Sequence, residues 1–170
     1  VGGNANLDAE LTQGVKDWVA NGGTLVATRS GALWAQTAIL GRNADMADEE
    51  ELEADDATER LDFGDMGVRD AKDVIGGAIF AADLDISHPL GFGYSDRGLP
   101  VHRNVSFTLA RPEGNPYAVP VQYTDAPLLT GYASDRRVQE IAGTPSVVAE
   151  RMKRGTVILM ADNPVFRGTY

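Results

Sequence analysis

The apolar residues of the chain recur in two rhythms. From Leu7 to Asn21, residues Leu7, Leu11, Val15, Trp18 and Val19 step by four, four, three and one, which sets them on one helical face. Asn6 or Asp8 can cap the start of this helix, and Gly22-Gly23 can end it in a left-handed turn. Thr24 to Thr28 reads as a short strand, followed by a second helix from about Gly31 to Leu40 that carries Leu33, Trp34, Ile39 and Leu40. Helix, tight turn, strand and helix in that order form the cadence of a parallel α/β unit.

Further on the rhythm shortens. Gly77 to Asp85, Val105 to Ala110, Val119 to Tyr123, Leu128 to Ser134 and Val147 to Met152 are strand candidates separated by Pro and Gly turns, which favours antiparallel or mixed pairing. A short helix, Asp135 to Ala142, interrupts them. Lys153-Arg154-Gly155 reads as a tight turn that makes Val147 to Ala161 a hairpin. Its second arm, Val157 to Ala161, is apolar throughout, the mark of a strand buried on both faces in the middle of a helix-covered sheet. The pattern predicts a three-layer α/β domain whose sheet edge is extended by antiparallel strands. No internal repeat is present.

Charge adds one feature. Eleven of the 25 acidic residues lie between Asp45 and Asp65 against a single base, Arg60, so this stretch carries the whole net charge of −10. It reads as a solvated acidic connector over 45–65. Its contiguous carboxylates lack the alternating spacing and central Gly of a calcium loop. No basic stripe is left to neutralise phosphates, so nucleic acid is not an expected partner. No apolar run approaches the ~20 residues of a membrane span. Cysteine is absent, which excludes thiol catalysis, zinc–thiolate sites and disulfides within the chain and leaves the compartment open. At 170 residues one domain is expected. The chain opens on Val1-Gly2-Gly3 like the tail of a strand and ends at Tyr170 just inside an expected helix, so both ends read as cuts through elements of a longer protein.

Candidate chemistry gathers at the ends of two strands. Asp162-Asn163-Pro164 follows the apolar run, where open α/β sheets place their ligand crevices, and Pro164 suits the first turn of a helix. Asp162, Asn163 and Arg167 can line such a crevice, or cap that helix and pair with neighbours. Thr28-Arg29-Ser30-Gly31 occupies a strand-to-helix turn. Ser30 can be posed there as a nucleophile or can cap the helix, but Thr28 stands where a nucleophile elbow has its preceding Gly. Arg29 can hold a carboxylate bidentately or form a structural ion pair with Asp162. His88 with Asp83 or Asp85 can suggest a metal site, but two histidines, His88 and His102, do not define one, and a hydrogen-bonded structural role is expected for His88.

The phrases VKDWVANGGTLVA, GGAIFAADLDISHPLGFGY, TDAPLLTGYAS and GTVILMADNPVFRGTY, in that order, resemble the C-terminal domain of bacterial carboxypeptidase A-like zinc peptidases. The resemblance implies a flavodoxin-like, class I glutamine amidotransferase-like fold over 1–170. In an amidotransferase a His-Pro-Glu triplet follows the last strand, and here Asn163-Pro164-Val165 takes that place with neither a base nor a group to orient one. The peptidase's His-x-x-Glu pair is also absent. The resemblance therefore implies a non-catalytic accessory domain, structural or substrate-positioning, of a secreted or periplasmic metallocarboxypeptidase. Zinc would belong to the parent's peptidase domain, with no cofactor in this chain. The expected partners are that peptidase domain and a second copy of the fragment. An independent hydrolase or ligand-binding domain using the crevice at Arg29, Ser30 and Asp162 is the alternative.

Overall fold

The computed structural model describes residues 8–43 and 75–165. The acidic connector at 45–65, Leu7 and Arg167 lie outside the described residues. The elements are α1 (Ala9–Ala20), β1 (Thr24–Thr28), α2 (Ser30–Trp34, continued by a π-helical turn Ala35–Ile39), β2 (Ala78–Leu84), β3 (Gly98–Arg103), β4 (Val121–Thr130), α3 (Asp135–Ile141), β5 (Pro145–Met152) and β6 (Gly155–Met160). The six strands form one curled mixed sheet in the order β1-β6-β5-β4-β2-β3. β1 runs parallel to β6, and every other pairing is antiparallel. The class is mixed α/β.

Local signals account for the first unit. The Asp8 carboxylate accepts a hydrogen bond from Leu11 N at 2.8 Å and so caps α1. Gly22, with φ 117°, turns the chain out of the helix. The face of α1 is not the one its sequence predicts. Val19 is buried and Val15 packs beneath it, while Leu11 and Trp18 are 57% and 54% exposed. Of the apolar residues of α1, Val15 and Val19 join the core cluster, and the Trp18 ring lies instead over Gly23, where a Cβ would come within 2.5 Å of it. α1 also sits directly on the β5–β6 turn, since a Cβ at Gly155 would meet Val19 O at 1.9 Å.

The hairpin over β5 and β6 forms as expected, with Met152 opposite Gly155 across Lys153 and Arg154. β6 lies between β1 and β5, with Val157, Ile158 and Leu159 all buried. Each such side chain contributes roughly 1.5–3 kcal/mol. One apolar cluster joins Val157 and Leu159 to Val19, Leu25, Trp34 and Phe107, and a second joins Phe80, Tyr123 and Ile141.

Three strand expectations are corrected. Gly98–Arg103 is a strand although it contains Pro100, because it lies at the sheet edge, where a missing N–H is tolerated. The expected strands at 119–123 and 128–134 are one strand, β4, whose register against β2 jumps between Tyr123 and Leu128 around Pro127. Val105 to Ala110 is not a strand. Side chains pin it instead: Gln36 Oε1 accepts from Ala110 N at 2.8 Å, and Arg103 Nη2 donates to the Phe107 carbonyl.

Candidate functional site

The parallel pair β1 and β6 brings Arg29–Ser30 and Asp162–Asn163 to the same end of the sheet, as their positions in the sequence suggest. The register pairs Thr28 with Met160, and Arg29 N donates to Met160 O at 2.8 Å. The side chains nevertheless belong to two separate arrangements.

Asp162 is in a closed cluster. One carboxylate oxygen accepts from Tyr123 Oη at 2.6 Å and the other from Ser146 Oγ at 2.5 Å. Arg103 Nη1 donates to Tyr123 Oη at 2.7 Å and stands 3.8 Å from the Asp162 carboxylate. The Arg103 guanidinium also lies 5.2 Å from the Tyr123 ring centroid, and that ring meets Phe80 edge-on. All four polar residues are buried, with Arg103 at 0% and Asp162 at 5% exposure. Burial raises the Asp162 carboxyl, opposed by the Arg103 charge and by the Ser146 and Tyr123 hydrogen bonds. Burial, then the nearby Asp162 charge, pushes the Tyr123 phenol well above its ordinary value. The cluster ties the ends of β3, β4, β5 and β6 together and leaves both Asp162 oxygens in use.

The cation beside Asp162 is thus Arg103 and not Arg29, which corrects the expected Arg29–Asp162 pair. The sequence offered a weak signal for this: Arg103 and Tyr123 both stand at inward-facing positions of strands. Asn163 is backbone machinery. Its N–H donates to His102 O at 3.0 Å, and its Oδ1 accepts from Val165 N at 3.2 Å in a turn around Pro164.

The second arrangement is the β1–α2 elbow. Arg29 has φ 53° and ψ −131°, a region that residues bearing a Cβ rarely occupy. This sharp strand-to-helix corner is the geometry that presents a nucleophile in hydrolases. It falls on Arg29, one residue before the serine the sequence singled out. In that frame Ala27 and Gly31 occupy the two small-residue positions, and both are buried. Ser30 is the first helical residue. The helix cap position belongs to Arg29, which makes no side-chain capping bond. Among the described residues the Arg29 guanidinium has no hydrogen-bond or ion-pair partner, and its Nε is buried.

A cleft of about 290 Å³ opens beside the elbow, lined by Ser30, Leu33, Ile75, Asn104, Val105, Ser106 and Phe107. Asn104 Oδ1 is buried there without a hydrogen-bond donor among the described residues.

His88 serves a turn: its Nδ1 accepts from Leu90 N at 3.1 Å and caps Pro89–Gly91. The neighbouring acids are engaged elsewhere. Arg97 donates to Asp83 at 2.8 and 2.5 Å and holds its carboxyl below the usual range, and Ser87 does the same for Asp85. Among the described residues no three His, Asp or Glu side chains gather into a metal-binding group, and no helix is long and apolar enough to cross a membrane.

No family model and no curated protein matches the chain. Among solved structures, a GH42 β-galactosidase superposes with a TM-score of 0.39 at 14% identity over 92% of this chain. The chain spans 17% of that enzyme's length. A likeness of this size bears on neither fold nor function.

Proposed function

We propose that the chain is a non-catalytic accessory domain of a secreted or periplasmic zinc carboxypeptidase, with the amidotransferase-like, flavodoxin-like three-layer shape its sequence resembles. The observation that carries this reading is the elbow. Its strained corner holds an arginine where an amidase needs a nucleophile, and the turn at Asn163-Pro164-Val165 offers no base. Arginine stays protonated near neutrality and cannot attack a carbonyl. Leu11 and Trp18, exposed on α1, supply apolar surface for the peptidase domain of the same polypeptide or for a second copy of this domain.

The reading has a chemical and a genetic test. The purified chain should hydrolyse neither glutamine nor carboxypeptidase substrates, with or without zinc. Metal-dependent turnover abolished by His88→Ala would contradict it. The same reading frame should encode a His-x-x-Glu pair and a distant His, and a frame without them would remove the zinc parent.

A second reading, an independent ligand-binding domain, draws on one specific observation: the Arg29 guanidinium is half-buried and has no partner among the described residues.

A further inference from the structure

We propose that Asn21 is a modification site built into the end of α1. Its side-chain amide is lost as ammonia when α1 lifts from the β5–β6 turn, and the carboxylate that replaces it keeps the helix end open. The reaction needs water and no other reactant.

Asn21-Gly22 is the one Asn-Gly step in the 170 residues. Elsewhere asparagine precedes Ala, Leu, Val or Pro, and the prolines after Asn115 and Asn163 have no N–H to give up. Gly22 has no Cβ to shield its nitrogen. The chemistry is intramolecular. The Gly22 backbone nitrogen attacks Cγ of Asn21 and a new C–N bond closes a five-membered imide. The Cγ–Nδ2 bond breaks, and ammonia leaves with the proton that Gly22 gives up. Water then opens the imide at either carbonyl. The product is aspartate, or isoaspartate with an extra methylene in the main chain.

The fold exposes Asn21 to water yet withholds the geometry of attack. At ψ 4° the Gly22 nitrogen eclipses the Asn21 nitrogen, so it points away from Cβ and from the amide it would attack. Both reacting groups are also engaged. Asn21 Nδ2 donates to Asp17 O at 2.9 Å, and Gly22 N donates to Val19 O at 2.9 Å. Swinging Gly22 under Cγ would displace Gly23, which is held three ways. Its N–H donates to Trp18 O at 3.1 Å, its carbonyl accepts from Thr156 N at 3.0 Å, and the Trp18 ring covers it. Reaction therefore requires the last turn of α1 to part from β6.

The product does not restore that turn. A carboxylate cannot donate to Asp17 O. It also adds a negative charge at the C-terminal end of α1, one turn from the exposed Asp17, where the helix dipole disfavours it. Isoaspartate in addition lengthens the main chain next to the fixed Gly23. A transient opening of α1 is thereby recorded covalently.

The test incubates the whole 170-residue chain in mildly alkaline buffer, folded and in concentrated urea. Mass spectrometry then follows the peptide 17–29 that trypsin releases after Lys16 and Arg29. Conversion of Asn21 should be roughly tenfold or more slower in the folded chain, because local opening is a minor population. Trp18→Ala, which uncovers Gly23, should raise the folded rate severalfold and leave the rate in urea unchanged. The comparison with urea decides the case alone if Trp18→Ala does not fold. Asn21→Asp, the product made directly, should exchange the Gly22 and Gly23 amide hydrogens roughly tenfold faster than the parent, while those of Ile158 and Leu159 stay protected. Equal rates in the folded chain and in urea, or no conversion at Asn21 in urea, would overturn the proposal. So would a folded Trp18→Ala chain that converts no faster than the parent, or unchanged exchange in Asn21→Asp.

Discussion

Two arginines stand near the same end of the sheet and are treated in opposite ways. Arg103 is fully buried and donates to Tyr123 and the Phe107 carbonyl, beside the Asp162 carboxylate. Arg29 is half-buried on a strained backbone and has no partner among the described residues. The Arg103 Nε has no hydrogen-bond partner among the described residues either, but its two Nη groups reach Tyr123 and the Phe107 carbonyl, and removing them leaves a buried carboxylate without its cation. The Arg29 guanidinium ties no elements together among the described residues. Arg103 is therefore structural, and Arg29 is the candidate functional residue.

The contrast breaks most sharply at Arg103. Arg103→Met should destabilise the chain by about 3–5 kcal/mol, because Asp162 would be left buried without its cation. Urea unfolding measures this, and a loss comparable to that of a surface substitution would show that the cluster is not what joins the strand ends. The next largest effect lies at Arg29, with the opposite sign: Arg29→Gly should relieve about 1–3 kcal/mol of backbone strain, less the entropy cost of glycine in the unfolded chain.

How much of this was legible in the sequence follows from how local each signal is. The α1–β1 unit is readable because the helix cap, the glycine turn and the apolar run are each signals a few residues long, and the β5–β6 hairpin is readable for the same reason. β3 was hidden by Pro100, a residue that only an edge position excuses, and position in the sheet is not a local property. Val105 to Ala110 alternates like a strand, yet partners distant in sequence, Gln36 among them, hold it as a loop. Residue type points to Ser30, one residue past the strained corner at Arg29, because backbone strain leaves no trace in residue type. The sequence marks Asp162, and proximity of strand ends points to Arg29 as its cation, whereas the cluster is built across four strands around Arg103.

pH gives a smaller and subtler handle. The Asp162 carboxyl is raised in the fold above its ordinary 3.8, so the native state holds that proton more tightly than the unfolded chain. Its contribution to stability is therefore largest below about 3.8 and declines as pH rises through the folded value. Asp162→Asn has no such titration. Its deficit relative to the unsubstituted chain should narrow as pH rises from 3 towards 7 in about 0.15 M salt. A deficit that widens over that range would show that the pull of Arg103 outweighs burial.

The smallest effect is expected at the exposed Asp83–Arg97 pair, 2.5 Å apart but open to water on both sides. The Arg97 hydrogen bonds lower the Asp83 carboxyl, so any stability it adds is present above about 3.8 and lost as pH falls through its folded value. Asp83→Asn should leave the thermal midpoint at neutral pH nearly unchanged.

Equilibrium unfolding of Arg29→Gly beside the unsubstituted chain tests most directly whether Arg29 is kept for use and not for the fold. A urea midpoint equal to or higher than that of the parent, with an unchanged slope, is predicted. A midpoint clearly lower than the parent's would mean that Arg29 supports the fold, and the distinction between the two arginines would not stand.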